Sequence, residues 1–339
     1  FMMPIMMLIM NGVSVLIIYS GAHAVDNGTM QVGNVMAFIQ YAMQIIMSFL
    51  MITAMSIMLP RANVAALRID EVLKTEVSIQ DPETSVHPSE SVKGEIEFDH
   101  VSFAYPEAGE NVLTDISFKA KKGQTIAVIG STGSGKSTLI NLIPRYYDVT
   151  KGSVKVDGVD VRDMTQKELR DKLGYVPQKG VLFSGTIDSN IRYGKPEITD
   201  AQVKEAAEVA QATEFIDTKP EKYKSPVSQG GTNVSGGQKQ RLSIARAIAK
   251  DPEIFIFDDS FSALDFKTDS QLRKALKEYT KDATTVIVAQ RISTILGADQ
   301  IIVLDDGHMA GIGTHKELMA NCEVYQQIAR SQLSEEELA

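Results

Sequence analysis

Two long apolar runs open the chain, at residues 1–20 and 35–59, and neither contains a formally charged side chain. At 1.5 Å per residue, helices of this length span about 30 to 37 Å, enough for a hydrocarbon core of about 30 Å. The pattern predicts two transmembrane helices joined as a hairpin. A signal peptide is one alternative for the first run, because residues 22–24 match an A-x-A cleavage site, but no basic region precedes the run. A buried helix pair is another.

The charged flanks of these runs predict the orientation of the hairpin. Arg61, Arg68 and Lys74 follow the second run, whereas the connecting residues 21–34 contain no lysine or arginine. Because basic residues are enriched on the cytoplasmic side of a membrane, everything after Leu59 is predicted to lie in the cytoplasm. The first residue is phenylalanine rather than methionine, so we expect the sequence to begin inside a longer protein.

After the hairpin, short β-rich runs alternate with helical stretches. Polar residues and two prolines predict a linker over residues 76–93, followed by a soluble domain over residues 94–333 and an acidic tail at 334–339. The clearest β-rich runs are residues 125–130, 254–258, 285–289 and 300–304. Their alternation with helices predicts an α/β domain with a mainly parallel sheet wrapped by helices.

Composition narrows the chemistry without identifying it. The 34 basic and 43 acidic residues give a formal net charge of −9. This balance argues against nucleic acid as a partner, because broad nucleic-acid binding needs a basic surface. The single cysteine, Cys322, excludes a disulfide framework and a cysteine-ligated zinc site.

A glycine-rich loop follows the first of these predicted strands. Residues 130–138 match the phosphate-binding pattern G-x-x-x-x-G-K-S/T and lead into a helical stretch. Backbone N–H groups of such a loop surround a β-phosphate, and the helix N-terminus adds positive potential. Lys136 is predicted to reach the β- and γ-phosphates, and Ser137 to ligate Mg²⁺. The predicted nucleotide-binding residues of the loop are Gly130, Ser131, Thr132, Gly133, Ser134, Gly135, Lys136, Ser137 and Thr138.

An acidic pair ends the next predicted strand. The apolar residues 254–257 lead directly into Asp258 and Asp259. Carboxylates are preferred Mg²⁺ ligands, so Asp258 is predicted to hold the ion directly or through water. The alternative is an acidic pair that merely caps the following turn.

A third motif carries a resemblance to a known family. Residues 234–238 are Val-Ser-Gly-Gly-Gln ahead of a helical stretch, and the sequence here resembles the ATP-binding cassette (ABC) family, whose signature is L-S-G-G-Q. Residues 103–106, 175–178 and 262–265 resemble the family's aromatic loop, Q-loop and D-loop. The resemblance implies that Tyr105 stacks on adenine and that Gln178 lies near Mg²⁺ and the γ-phosphate. It also assigns nucleotide contacts to Ser235, Gly236, Gly237 and Gln238.

The resemblance covers about residues 94–330, and the hairpin resembles the last helix pair of an exporter's membrane domain with a cytoplasmic extension, over residues 1–75. It implies a half-transporter whose transmembrane hairpin precedes an α/β P-loop NTPase, the ABC-type nucleotide-binding domain with its helical subdomain. In this family two such domains close head to tail, and each ATP lies between one phosphate loop and the other signature. The implied partners are therefore a second half-transporter and the lipid bilayer of the cytoplasmic membrane.

Two positions depart from the family pattern, both on the hydrolytic side. Asp259 stands where the family has the Glu that orients the attacking water, and its carboxylate is drawn back by about 1.5 Å; a misplacement near 1 Å can cost about a hundredfold in rate. Gln290 stands where the family has its switch His, and an amide cannot carry the charge of an imidazolium. This pattern resembles the degenerate-site subunit of heterodimeric multidrug-type ABC exporters, whose partner bears the Glu and His. A homodimer with two slow sites is the alternative.

The leading functional hypothesis is an export subunit powered by ATP with Mg²⁺. A hydrophobic or amphipathic substrate is expected, since 12 of the 15 methionines lie within residues 1–60. A regulatory or channel subunit that retains ATP at a slow site is the second hypothesis. A soluble ABC ATPase of DNA repair or translation is disfavoured by the two apolar runs.

Overall fold

The structure is a computed structural model, and it describes residues 2–89, 92–106, 108–195 and 197–333. Contacts divide the chain into two compact units, Phe1–Ser78 and Ile79–Ala339. The predicted acidic tail at 334–339 lies outside the described residues, as do residues 90 and 91 of the predicted linker.

Two helices, α1 (Met2–Asp26) and α2 (Val32–Leu73), make up the first unit. Both are long and apolar enough to cross a membrane, judged by length and composition. They pair as a hairpin with a close approach at Gly21, where a β-carbon would lie 2.7 Å from a methyl carbon of Val35. The predicted helical hairpin is thus confirmed, and α2 continues through Pro60 well beyond the apolar run.

Within the described residues of the second unit, the strands form three sheets. In chain order they are β1 (Ile96–Phe103), β2 (Leu113–Ala120), β3 (Thr125–Gly130), β4 (Lys151–Val156), β5 (Val159–Asp160), β6 (Leu173–Val176), β7 (Gly185–Thr186), β8 (Pro226–Val227), β9 (Ile254–Asp258), β10 (Thr284–Val288), β11 (Gln300–Asp305) and β12 (His308–Gly313). The largest sheet has the order β12-β11-β3-β10-β9-β6, in which only the edge strand β12 runs antiparallel to its neighbour. The predicted mainly parallel sheet is confirmed.

A second sheet was not predicted from the sequence. It has the order β2-β1-β4-β5, and every neighbouring pair in it is antiparallel. A small antiparallel pair, β7 and β8, forms the third sheet. The parallel-sheet prediction missed the second sheet because it rested on four continuous apolar runs, whereas β1 and β2 have partly buried and exposed positions among their buried ones.

The helices of the second unit are α3 (Lys136–Asn141), α4 (Gln166–Asp171), α5 (Ile187–Ile191), α6 (Asp200–Val209), α7 (Thr213–Asp217), α8 (Gly236–Ala249), α9 (Phe266–Tyr279), α10 (Ile292–Ile295), α11 (His315–Asn321) and α12 (Glu323–Gln332). Short 3₁₀ turns occur at Arg192–Gly194, Lys222–Lys224 and Gln229–Gly231. Helices α5 to α8 share one apolar core and form the helical subdomain.

Both faces of the parallel sheet are covered. On β9, Ile254 and Ile256 join the core shared with the antiparallel sheet, while Phe255 and Phe257 join the core of the helical subdomain. A strand buried on both faces has a continuous apolar sequence, which is why β9 was recognisable from sequence. Because apolar side chains cover both faces of the sheet, polar groups can lie at the carboxyl ends of its strands.

Candidate functional site

Polar residues converge where four neighbouring parallel strands end. Strand β3 leads into the loop 130–138, β9 ends at Asp258 and is followed by Asp259, and the segments after β10 and β6 carry Gln290 and Gln178. Since parallel strands end at one edge of a sheet, the fold brings these groups together. They line a cavity of about 500 Å³.

The shape of the phosphate loop depends on glycine at two positions. A β-carbon at Gly130 would collide with the carbonyl oxygen of Leu304, so only glycine lets the end of β3 lie so close to β11. Gly135, which directly precedes α3, has φ +95°, in the left-handed region. The loop therefore delivers the first backbone N–H groups of α3 to the cavity.

Lys136 folds back over the loop. Its Nζ donates to the carbonyl oxygens of Gly130 (2.9 Å) and Ser131 (2.6 Å). Burial lowers the pKa of this ammonium, and the carboxylates of Asp259 and Asp258 oppose that shift. Among the described residues that line the cavity, Lys136 is the only lysine or arginine. It supplies the one side-chain positive charge available to an anion there.

Ser137 and Asp258 form the pair predicted to hold Mg²⁺. The Ser137 hydroxyl donates to Asp258 Oδ1 at 2.9 Å, across 121 residues of sequence. Asp258 is only 7 % exposed, and burial raises the pKa of its carboxyl, while the Ser137 hydrogen bond opposes that shift. The paired hydroxyl and carboxylate are hard oxygen donors of the kind Mg²⁺ takes, so the residues fit the ion.

The described residues contain no group of three or more His, Cys, Asp or Glu that could hold a metal ion. A magnesium site at Ser137 and Asp258 is therefore short of protein ligands. Mg²⁺ is commonly bound by one or two carboxylates together with substrate phosphates. The arrangement suits an ion that arrives with a nucleotide.

Asp259 contacts both residues expected to act near the γ-phosphate. Its Oδ2 accepts hydrogen bonds from Gln178 Nε2 at 3.0 Å and from Gln290 Nε2 at 2.6 Å. Asp259 has φ +45°, and its N–H donates to the carbonyl oxygen of Val288 at 3.0 Å. The two positions that depart from the family pattern thus form one hydrogen-bonded cluster with the Q-loop glutamine.

The signature residues lie outside this cavity. Ser235 caps α8, its Oγ accepting from the Gln238 N–H at 3.3 Å while Gln238 Oε1 accepts from the Ser235 N–H at 3.1 Å. Ser235 and Gly236 are exposed, and none of residues 235–238 lines the cavity. This capping box leaves an exposed, regular helix start within the second unit.

Tyr105 lies beside the phosphate loop but is not among the residues that line the cavity. Its hydroxyl is 2.9 Å from Thr138 Oγ1. The ring makes edge contacts with Phe103 and Tyr147, with centroids 4.9 and 5.1 Å apart. Stacking of this half-buried ring on adenine stays a prediction.

Sequence reasoning missed the contribution of α12. Ile328, Ser331 and Gln332 at its end line the cavity, together with Val112 ahead of β2. No motif marks these positions. The sequence signal was limited to the spacing of the buried Tyr325 and Ala329, which predicts an amphipathic helix but not what it packs against.

A buried glutamine outside the predicted set joins the Q-loop to the signature helix. Gln240 on α8 accepts a hydrogen bond from the Gly180 N–H (2.9 Å) and donates to the carbonyl oxygen of Pro177 (3.0 Å). Gln178 lies between these two backbone partners. The segment that carries Gln178 is therefore fixed to α8 only two residues beyond the signature.

Known proteins are similar in sequence to this chain over almost its whole length. The family model described as ABC transporter matches residues 113–262. An uncharacterised ABC transporter ATP-binding protein of Mycobacterium tuberculosis is 46% identical over 334 residues, which cover 98% of this chain and 57% of the relative. A putative multidrug export ATP-binding/permease protein of Bacillus subtilis is 40% identical over 304 residues, covering 90% of this chain and 52% of the relative. The chain spans a little over half the length of these relatives.

A solved structure shows the same architecture. The structure of a bacterial Atm1-family ABC exporter with ATP bound matches with a TM-score of 0.78 and 31% sequence identity. The match covers 97% of this chain and 58% of that exporter chain. The likeness therefore includes the helical hairpin as well as the α/β unit.

Proposed function

Since the chain belongs to the ABC transporter family, we propose that it is the ATP-binding subunit of a membrane exporter. In this proposal, ATP binding and hydrolysis drive outward transport of a hydrophobic or amphipathic substrate through a multi-pass domain of the cytoplasmic membrane. The second unit lies in the cytoplasm. The observation that carries the proposal is the convergence of the phosphate loop, Asp258, Asp259, Gln178 and Gln290 on one cavity.

Each group at the cavity has a role in holding MgATP. The backbone N–H groups of residues 130–138 surround the phosphates, and Lys136 exchanges its bonds to loop carbonyls for the β- and γ-phosphate oxygens. Ser137, Asp258 and Gln178 would hold Mg²⁺, which would neutralise charge on the phosphates. The phosphate-loop side of the binding site is therefore intact on this chain, and the signature of the partner closes the other side.

The hydrolytic half is proposed to be weak. A general base has to be within hydrogen-bond reach of the attacking water. Asp259 has the shorter carboxylate arm, and the Oδ2 that would accept a proton already accepts from Gln178 and Gln290. The amide of Gln290 can donate to a γ-phosphate but cannot shuttle a proton. We therefore expect slow turnover and long retention of ATP.

A partner half-transporter with Glu and His at these positions completes the assembly in our proposal. The exposed start of α8 at Ser235 supports this role, because the N-terminal end of a helix favours an anion. The signature of this chain then serves the partner's competent site. A homodimer with two slow sites is the competing arrangement, and steady-state ATPase activity of the chain alone and mixed with its partner separates the two.

Transport is tested in inside-out membrane vesicles that contain the full-length chain and its partner. We expect ATP-dependent accumulation of an amphipathic cationic dye, which is lost when the partner's phosphate-loop lysine is replaced. A regulatory or channel role predicts instead an ATP-gated ion conductance without accumulation. That outcome would replace the export proposal while leaving the nucleotide site intact.

Replacing the buried carboxylate of Asp258 is expected to increase thermal stability and to decrease MgATP affinity. Asp258→Asn should raise the thermal unfolding midpoint by about 2–4 °C, because it removes a charge held in a desolvated position. MgATP affinity should fall about tenfold, since an ion ligand is lost. Because burial raises the pKa of Asp258 in the folded state, the folded chain binds a proton more readily than the unfolded chain. The contribution of this group to wild-type stability therefore increases as pH falls through that raised pKa towards the ordinary value of 3.8.

Thermal unfolding at several pH values and titration with a fluorescent ATP analogue check both effects. Asp305→Asn, which changes an exposed carboxylate at the end of β11 in the same sheet, is the matched control. A lowered midpoint for Asp258→Asn, or unchanged MgATP affinity, would contradict the role given to this side chain.

A further inference from the structure

The last residue of α12 holds the loop that carries Gln290. Gln332 Nε2 donates to the carbonyl oxygen of Gln290 at 2.8 Å, and Gln332 Oε1 accepts from the N–H of Ile292 at 2.9 Å. One side-chain amide therefore satisfies a backbone acceptor and a backbone donor on either side of Arg291. Such paired contacts fix the position and the direction of the loop together.

The direction of the Gln332 side chain follows from the packing of α12. Tyr325 and Ala329 are fully buried against the parallel sheet, and Gln332 follows them on the same side of the helix at spacings of four and three residues. The Tyr325 hydroxyl is 2.8 Å from His315 Nδ1, which ties the helix to α11. Gln332 therefore lies at the end of a helix whose position is fixed by buried contacts.

Other hydrogen bonds hold the two ends of this loop: the Ala289 N–H donates to the carbonyl oxygen of Val128 (3.1 Å), and Arg273 Nη1 donates to that of Ser293 (2.9 Å). Gln332 holds the residues between them. The residue that precedes α10, Arg291, makes no side-chain capping bond to that helix, so the first N–H of the helix depends on Gln332. The side chain of Gln290, in turn, reaches Asp259 Oδ2. A continuous path of hydrogen bonds runs from the end of α12, through the loop backbone, to the two hydrolytic positions.

We propose that Gln332 is a positioning residue that sets the preference of this site for ATP over ADP. The inference rests on the proposed nucleotide site, in which Gln290 faces the γ-phosphate. ATP and ADP share the contacts of the loop and of Lys136 with the α- and β-phosphates, and only ATP has the γ-phosphate that Gln290 faces. Holding the Gln290 backbone in place therefore favours the triphosphate alone.

The test variant is Gln332→Met in the full chain, which keeps length and helix propensity but removes both hydrogen bonds. We expect MgATP affinity to fall about three- to tenfold, the range for one or two neutral hydrogen bonds, with MgADP affinity unchanged. Gln327→Met, an exposed position on the same helix that does not line the cavity, is the matched control and should change neither affinity. Affinities are measured by competition against a fluorescent ATP analogue.

A double-mutant cycle shows whether Gln332 acts through Gln290. In a Gln290→Ala background, Gln332→Met should cause no further loss of MgATP affinity, because the contact that it positions is already absent. An equal loss of ATP and ADP affinity, or the same loss with and without Gln290, would overturn the proposal. So would an unchanged affinity for both nucleotides.

A different result would contradict the proposed nucleotide site itself. If the unmodified chain binds neither nucleotide, or if Lys136→Ala leaves MgATP affinity unchanged, the site itself is wrong, whatever Gln332 does. A site that binds both nucleotides, with an ATP preference insensitive to Gln332, is a failure of this inference alone.

Discussion

Lys136→Ala is expected to lower the MgATP affinity of the chain by about a hundredfold or more. The substitution removes the only lysine or arginine among the described residues that line the cavity and leaves Asp258 and Asp259 facing the phosphates. Hydrogen bonds to charged groups contribute about 1.5–3 kcal/mol each. Loss of contacts to two phosphate groups therefore amounts to about 3 kcal/mol or more, a factor of at least about a hundred.

Titration with a fluorescent ATP analogue in the presence of Mg²⁺ measures this effect. Lys267→Ala provides the control, because Lys267 is an exposed lysine in the first turn of α9 and does not line the cavity. It should bind as the unmodified chain does. An affinity for the Lys136 variant within threefold of wild type would contradict the assigned role of the phosphate loop.

Restoring the family residues at the two hydrolytic positions should have an effect of similar size on rate. Asp259→Glu combined with Gln290→His is expected to raise ATP turnover at this chain's site by about a hundredfold. The longer arm returns the carboxylate by about 1.5 Å, and the imidazole supplies the charge and proton transfer that an amide lacks. The double variant is required because the two side chains share one hydrogen bond through Asp259 Oδ2.

Turnover at this site alone is measured in the assembled transporter whose partner carries a substituted phosphate-loop lysine. Asp305→Glu makes the same chemical change at the end of β11 and should leave the rate unchanged. Because Asp259 has φ +45°, where aspartate is tolerated better than glutamate, thermal unfolding has to show that the double variant is folded. A folded double variant with no gain in turnover would show that these positions do not limit hydrolysis.

The parts of the site that the sequence predicted are those encoded locally. Strands β3 and β9 have the bounds expected from their apolar runs, because a strand covered on both faces is apolar throughout. The phosphate loop follows from glycines and a lysine at fixed spacing within nine residues. Their meeting at one sheet edge then follows from parallel topology.

The contributions that escaped prediction depend on distant packing. Gln332 lies 42 residues from Gln290 along the chain, and Gln240 lies 60 residues from Gly180. No sequence spacing predicts either contact, because each depends on how α12 or α8 packs against its hydrophobic core. The antiparallel sheet was missed for a different reason: β1, β2 and β4 each include exposed positions, so none of them is a continuous apolar run.

The hydrogen-bonded cluster at Asp259 could be predicted from the sequence only in part. The sequence identified Asp259 and Gln290 as departures from a family pattern, and Gln178 as a neighbour of the γ-phosphate. Their mutual contacts, at 2.6 and 3.0 Å, required the structure. These contacts give the proposed weak hydrolysis a physical cause beyond a shortened side chain, because the carboxylate already has donors bound to it.

The most direct test of the asymmetric-exporter account is steady-state ATPase activity of the full-length protein, alone and mixed with its candidate partner half-transporter. We expect activity only in the mixture. It should survive Lys136→Ala in this chain far better than the equivalent lysine substitution in the partner. Comparable turnover by this chain alone would contradict the account, because Asp259 would then be a working base and the protein a homodimeric exporter.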